Sequence, residues 1–344
     1  MAHPVAASVV SDADGDRALG RVASHPGGPI TLAVLTVPEV RIDPTIPVER
    51  ACAVEFARAG GRALRLDAVF PAGRLPDESA GPRPAVLMAG SPWTDGLRPR
   101  GSWLQPYLAT HGFVAVGCDL RPFAEAPFPA QLHDVKAAIR WLRANAPAYG
   151  IDPDRIGAWG ASIGATLAAL AGLTGDSGNP ELEGGPSGPG ASSAVQAVVW
   201  ASGGADFVRQ WAEQRGQRDR LAQVFGGPVD ALSEMARLAS PLHQARRRGP
   251  GAPPPPPFLV LHGTRDATTP FEPAGLLCEA LRAAGGAAEL VPLLGRGHTW
   301  TSRGEDPDDD GRYWDLAPMA LPFLVKHLRS ARPPRATAAR RAPG

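Results

Sequence analysis

Residues 157–168 read GAWGASIGATLA and place Ser162 between two glycines, Gly160 and Gly164. The apolar residues before the serine predict a strand, and IGATLAALAGL at 163–173 predicts a helix. A sharp strand-to-helix turn needs both glycines, because the strand and the helix nearly touch there. Such a turn raises the serine hydroxyl above the sheet edge, at a helix N-terminus. In a chain with 40 glycines the motif alone is equally typical of an ordinary turn, but this context favours a nucleophile.

A nucleophilic serine needs a base to accept its proton and an acid to orient that base, in the chain order serine, acid, histidine. The loop after the apolar run FLVLHG contains Asp266, and the loop after ELVPLL contains His298. Because parallel strands end at the same sheet edge, both side chains are expected beside Ser162. Singly, Asp266 is typical of a capping residue and His298 of a loop histidine. The ordered set of three predicts catalysis.

Four further residues compete for these roles. Asp206 follows the apolar run VQAVVWA and is the alternative acid. His262 lies inside the run LHG, where packing and a backbone contact explain it better than proton transfer does. His111 and His133 lie in predicted helices before the nucleophile, and we interpret both as structural.

Negative charge that develops on a carbonyl oxygen is stabilised by backbone N–H groups. The first expected donor is Ile163, the residue after the nucleophile. The second is expected in the loop after an early strand, within AVLMAGSPWTDG at 85–96. Pro92 has no N–H, which leaves Gly90 and Ser91, and Ser91 is favoured.

An alternation of strands and helices predicts the fold. ACAVEFARAGGRALRLDAVF at 51–70 alternates apolar and polar residues on both sides of Gly60 and Gly61, which predicts an antiparallel hairpin. Nearly continuous apolar runs predict strands buried on both faces, at 85–90, 113–119, 156–160, 195–201, 258–263 and 288–294. Helical periodicity occurs at 130–146, 165–173, 271–284 and 316–329. This order predicts an α/β fold with a doubly wound, mostly parallel sheet.

The same patterns suggest domain limits. Residues 1–45 lack sustained periodicity and are expected to be poorly ordered, as is the Pro- and Arg-rich tail 331–344. One domain is expected over 46–330. Within it, 174–194 forms a Gly/Ser/Pro-rich loop, and 202–256 has two amphipathic stretches in an insertion that is expected to cap a pocket.

The composition excludes several classes of function. The formal net charge of +1 gives no basic field for nucleic acid. Cys52, Cys118 and Cys278 are far apart, so neither a metal site nor a disulfide framework is expected. The N-terminal apolar stretch is too short for a signal peptide, and no segment approaches a membrane span. We therefore expect a cytoplasmic protein without membrane association, and the sequence does not indicate its oligomeric state.

With these residues identified, the chain resembles the α/β-hydrolase superfamily over residues 45–330, and within it bacterial carboxylesterases of the acetyl-esterase and feruloyl-esterase-like type. The resemblance is carried by the long block 125–170, by PELEG at 180–184, by ASPLH at 239–243 and by 258–285.

The resemblance implies that Ser162, Asp266 and His298 are nucleophile, acid and base, and that no cofactor or metal is needed. AGSPW at 89–93 is similar to the His-Gly-Gly-Gly-Trp loop of this group but keeps only its Gly90 and Trp93. GASIGA also departs from the commoner Ser-Ala-Gly-Gly sequence.

The expected function is hydrolysis of small-molecule carboxylic esters through an acyl-enzyme. A thioesterase, a peptidase and a tailoring acyl-transfer enzyme are alternatives on the same triad, and a non-catalytic binding protein is an alternative of another class. The residues expected to line the substrate pocket, although core packing explains each of them equally well, are Trp93, Phe207, Trp211 and Phe225.

Overall fold

The computed structural model describes residues 18–23, 31–36, 42–75, 81–93, 96, 104–185, 191–230, 233–248, 251–298 and 316–329. The strands are β1 Ala18–Ala23, β2 Thr31–Thr36, β3 Val48–Ala59, β4 Arg62–Pro71, β5 Arg83–Ala89, β6 Val114–Cys118, β7 Ile151–Ala161, β8 Ala197–Ala201, β9 Phe258–Gly263 and β10 Ala288–Leu293. The helices are α1 Leu104–Thr110, α2 Ala130–Ala144, α3 Ile163–Thr174, α4 Pro180–Glu183, α5 Phe207–Glu213, α6 Arg218–Phe225, α7 Ser233–Leu238, α8 Pro241–Arg246, α9 Phe271–Ala283 and α10 Ala317–Leu324. Two 3₁₀ turns, Ala146–Tyr149 and Arg215–Gln217, and a π-helical turn, Val325–Arg329, complete the described elements.

Eight strands form one sheet in the order β10-β9-β8-β7-β5-β6-β4-β3. The pairs from β6 through β5 and β7 to β10 are parallel, and β3 and β4 are antiparallel at one edge. The predicted α/β fold is therefore confirmed. The chain adds β6 on one side of β5 and then crosses to add β7 on the other side. A doubly wound sheet binds ligands at such a reversal, beyond the carboxyl ends of its strands.

The predicted hairpin is β3 and β4. Gly60 and Gly61 have φ angles of 58° and 80°, the left-handed backbone that a two-residue hairpin turn requires. The predicted apolar runs are also strands, and every residue of β6, β8 and β9 is buried. Burial on both faces explains why these strands lack the alternation of polar residues that marks the hairpin.

The sheet separates two apolar clusters. Alternate residues of β5 point to opposite faces: Ala85 and Leu87 pack with α2, α3 and α9, whereas Val86 and Met88 pack with α1 and α10. Helices thus cover both faces of the parallel strands, which fixes the loops at their carboxyl ends.

Two connecting segments differ from the sequence prediction. The insertion 202–256 contains four short helices, α5 to α8, where two amphipathic stretches were predicted. The loop 174–194 contains α4, whose Glu183 forms ion pairs with the fully buried Lys136 and with Arg140. Both segments are fixed by tertiary contacts, which local periodicity does not reveal.

The predicted domain limits near residues 45 and 330 stay predictions. Within the N-terminal range the structure describes β1 and β2 as an antiparallel pair. The tail 331–344 lies outside the described residues. Of the helices described, none has the length and apolar character needed to cross a bilayer.

Candidate active site

Ser162 lies at the sharp turn between β7 and α3. Its φ of 52° and ψ of −127° are uncommon for a residue with a side chain, and its N–H donates to the carbonyl of Ala201 at 2.9 Å. Strained backbone of this kind persists where surrounding structure holds it, and it concentrates at functional sites. The hydroxyl is presented at the carboxyl end of β7, beside the reversal of strand order.

The two glycines of the motif have different roles. A Cβ at Gly160 would lie 2.0 Å from the carbonyl oxygen of Gly164, so only glycine fits where the strand meets the helix. A Cβ at Gly164 would meet nothing within 4 Å. The predicted crowding is therefore correct at Gly160 and wrong at Gly164, because Gly164 provides the backbone that crowds its neighbour.

This difference gives a matched pair of variants. Gly160→Ala is expected to lower the free energy of unfolding by about 3 kcal/mol, since the new methyl group meets backbone. Gly164→Ala is expected to change it by less than about 1 kcal/mol, because alanine is the better helix residue. Urea unfolding of both variants measures the contrast. Equal losses of stability in the two variants would contradict this account of the turn.

The structure brings together the three side chains predicted from the sequence. Ser162 Oγ lies 2.9 Å from His298 Nε2, and His298 Nδ1 lies 2.8 Å from Asp266 Oδ2. A carboxylate only accepts hydrogen bonds, so Nδ1 carries the proton and Nε2 is left to accept from the serine hydroxyl. This is the tautomer that a general base requires.

Asp266 is held in a fixed orientation by its own loop. The backbone N–H groups of Thr268 and Thr269 donate to Oδ1 at 2.9 and 2.8 Å, and the Thr269 hydroxyl donates to Oδ2 at 2.8 Å. Burial disfavours ionisation of this side chain, but hydrogen bonds from His262 and His298 outweigh it and hold the pKa of Asp266 well below its usual value. The carboxyl group therefore stays ionised at neutral pH.

Sequence reasoning missed two partners of the acid. Thr269 Oγ1 also lies 3.1 Å from His298 Nδ1. His262 is fully buried, with Nε2 at 2.6 Å from the Thr269 carbonyl and 3.3 Å from Asp266 Oδ2. The backbone contact was predicted for His262, whereas its approach to the carboxylate was not. No local pattern signals this approach, because His262 lies in β9 and Asp266 in the turn that follows it.

The other competing residues have different partners. Asp206 caps α5 through the N–H of Arg209 and lies 3.1 Å from His243 Nε2, so the alternative assignment of the acid is wrong. His111 contacts the Tyr107 carbonyl and His133 the Glu181 carbonyl, as structural residues do. His111 follows the end of α1 instead of lying within the predicted helix.

The three predicted oxyanion donors have different outcomes in the structure. Ile163 is the first residue of α3, so its N–H has no acceptor inside the helix. The N–H of Gly90 donates to the Cys118 carbonyl at 2.9 Å, which makes the assignment of Gly90 wrong. Ser91 is exposed in the loop after β5. Its role as the second donor stays a prediction.

A cavity of about 410 Å³ opens beside Ser162. Trp93 and Phe207 line it, as predicted. Phe225 instead packs in the core behind Phe207, with ring centroids 5.6 Å apart, and Trp211 lies under the guanidinium of Arg218. Phe225 and Trp211 are not among the described residues that line this cavity, and their place in a substrate pocket stays a prediction. The lining residues are Trp93, Ser162, Ile163, Gly204, Phe207, Gln210, Gln217, Arg220, Leu221, Val224, Thr268 and Thr269. Helices α5 and α6 supply five of these twelve residues, and Gly204 and Gln217 also belong to the insertion, so the insertion covers the cavity.

Comparison with known proteins assigns the family. The BD-FAE family model matches residues 74–281, more than half of the chain. The chain belongs to the BD-FAE family. The segment matched to BD-FAE contains Ser162 and Asp266, and His298 lies beyond it.

Known relatives of this BD-FAE chain include esterases. Esterase LipC of Mycobacterium tuberculosis is 34% identical over 75% of this chain and 62% of its own length. The chain spans about half to three fifths of the length of the curated relatives compared here.

Solved structures of esterases are similar to this chain. An esterase of Thermogutta terrifontis with propionate bound matches with a TM-score of 0.59 and 28% identity, over 84% of this chain and 96% of that one. A carbohydrate esterase from gut microbiota matches with a TM-score of 0.62 and 23% identity, over 82% of this chain and 96% of that one. At this lower identity, the second match supports the fold alone.

Proposed function

We propose that this chain is a serine hydrolase that cleaves carboxylic esters of small molecules through an acyl-enzyme. The observation that carries the proposal is the 2.9 Å contact between Ser162 Oγ and His298 Nε2, with Asp266 on the other ring nitrogen. The esterases among its relatives support the same reaction. A non-catalytic binding protein would have no use for this series of hydrogen bonds.

In the first half of the reaction, His298 Nε2 accepts the proton of Ser162 as Oγ attacks the ester carbonyl carbon. The resulting oxyanion accepts hydrogen bonds from the N–H groups of Ile163 and Ser91. The bond to the alcohol oxygen then breaks, and the imidazolium returns the proton to that oxygen. In the second half, water, deprotonated by His298, attacks the acyl carbon. The bond from that carbon to Ser162 Oγ then breaks, the imidazolium returns the proton to Oγ, and the acid is released.

Asp266 accepts the hydrogen bond of His298 Nδ1 throughout and stabilises the imidazolium. Its lowered pKa keeps the carboxylate charged while the histidine cycles between its two protonation states. The two backbone donors on Oδ1 fix the direction in which Oδ2 points.

The insertion covers the cavity beside Ser162, which supports a small substrate. The propionate bound by the Thermogutta terrifontis esterase supports a short acyl group. We also propose a cytoplasmic location, which the three free cysteines support.

A substrate panel tests this function against its alternatives. We expect the chain to hydrolyse para-nitrophenyl acetate, propionate and butyrate with a kcat/KM at least about tenfold above that for the octanoate. The matched acetyl and butyryl thioesters and a short peptide anilide report the thioesterase and peptidase alternatives. A thioester or the anilide cleaved faster than every oxygen ester would contradict the proposal.

A further inference from the structure

One charged side chain forms part of the wall of the cavity beside Ser162. Arg220 lies on α6, and its guanidinium carbon is 4.7 Å from the centroid of the Trp93 ring. Trp93 lines the same cavity from the loop after β5. The arginine and the tryptophan therefore stand together at the active site, held by a cation–π contact.

Arg220 gives this cavity its charge. Of the described residues that line the cavity, it alone carries a formal charge, and the others are apolar, hydroxyl or amide residues. Asp266 lies behind the histidine, with its side chain fully buried. A substrate in the cavity therefore meets a positive group and no neighbouring carboxylate among the described lining residues.

Some arginines on the insertion already have carboxylate partners, whereas Arg220 has none among the described residues. Arg209 forms ion pairs with Glu213 and Glu272, and Arg247 pairs with Glu234. Within the described ranges, no carboxylate pairs with Arg220 and no residue accepts a hydrogen bond from its guanidinium. Its planar set of N–H donors matches the geometry of a carboxylate.

We propose that Arg220 binds a carboxylate of the substrate, so that the preferred substrates are esters carrying one negative charge near the ester group. This inference rests on the proposed ester hydrolysis at Ser162. Ser162 and Arg220 both line the same space, which opens to solvent. A carboxylate a few carbon atoms from the scissile carbonyl can therefore reach the guanidinium, whether it belongs to the acyl or the alcohol part.

Two pairs of esters distinguish these positions. On the acyl side, para-nitrophenyl hydrogen glutarate is compared with its neutral methyl ester. On the alcohol side, para-acetoxybenzoate is compared with methyl para-acetoxybenzoate. For each pair, the ratio of kcat/KM for the anionic ester to that for the neutral ester is measured at low salt, after subtraction of the rate with Ser162→Ala.

Arg220→Gln is expected to lower this ratio by about fivefold to tenfold in at least one pair. This factor corresponds to the loss of one hydrogen bond between charged groups in a partly exposed site. Arg220→Glu is expected to lower it further. The ratio is the readout because a general effect of the substitution on the cavity acts on both esters. Arg218→Gln is the matched control, because Arg218 lies on the same helix as Arg220 but contacts Trp211. This variant is expected to leave the ratio unchanged.

Added sodium chloride is expected to reduce the preference of the unmodified protein for the anionic ester, because salt screens a partly exposed charge. A ratio that Arg220→Gln leaves unchanged in both pairs would overturn the inference. A different result would contradict the proposed function itself: hydrolysis of the neutral esters that does not depend on Ser162.

Discussion

Ser162→Ala is expected to lower kcat for a short-chain ester by about 10⁶-fold, because the nucleophile and its base act as a unit. The hydroxyl that this change removes lies 2.9 Å from His298 Nε2. No acyl-enzyme can then form, and only the oxyanion donors and the binding cavity remain. Steady-state hydrolysis of para-nitrophenyl butyrate, with the uncatalysed rate subtracted, measures the loss.

The control for this variant is Ser177→Ala. Ser177 lies in the turn after α3, where its hydroxyl accepts a hydrogen bond from the N–H of Asn179. Unchanged circular dichroism and unfolding midpoints would show that both variants fold. Retention of most of the esterase activity in folded Ser162→Ala would rule out the assigned nucleophile.

Asp266→Asn is expected to lower kcat by about 10⁴-fold. The N–H groups of Thr268 and Thr269 both donate to Oδ1, so the amide oxygen must occupy that position. The amide NH₂ then replaces Oδ2 and faces His298 Nδ1. Because an NH₂ only donates there, Nδ1 becomes the acceptor and the ring proton moves to Nε2, which can no longer take the serine proton.

Asp206→Asn provides the comparison for the acid. Asp206 caps α5 and contacts His243, and asparagine keeps the capping oxygen, so the change is expected to cost less than about 1 kcal/mol of stability and to change kcat by less than about threefold. A loss of activity in Asp206→Asn as large as that in Asp266→Asn would reverse the assignment of the two carboxylates.

Much of this site could be predicted from the sequence because its signals are local. The strand segments that lead to Ser162 and Asp266 are buried on both faces and therefore appear as continuous apolar runs. Parallel strands then fix the edge at which their loops meet, which brings distant residues together. Gly160 follows from the same reasoning, since close approach of strand and helix leaves room for glycine alone.

The incorrect and the untested predictions concern features that depend on neighbouring elements. Gly90 is a candidate donor by sequence, but its N–H donates to the Cys118 carbonyl, a partner that only the pairing of β5 with β6 provides. Phe225 and Arg220 lie on the same amphipathic helix. The packing of the insertion determines that Arg220 is among the described lining residues of the cavity, whereas Phe225 is not. Thr269 belongs to no motif, and its contacts with both Asp266 and His298 arise from the turn of the loop.

Covalent labelling tests the central claim most directly. A fluorophosphonate reacts with a serine only where a base has activated its hydroxyl and the oxyanion can be stabilised. Peptide mass spectrometry of the labelled, folded protein is predicted to place one phosphonyl group on Ser162, with no label on Ser162→Ala. A folded sample that hydrolyses esters but stays unlabelled, or that carries the group on another residue, would contradict the account.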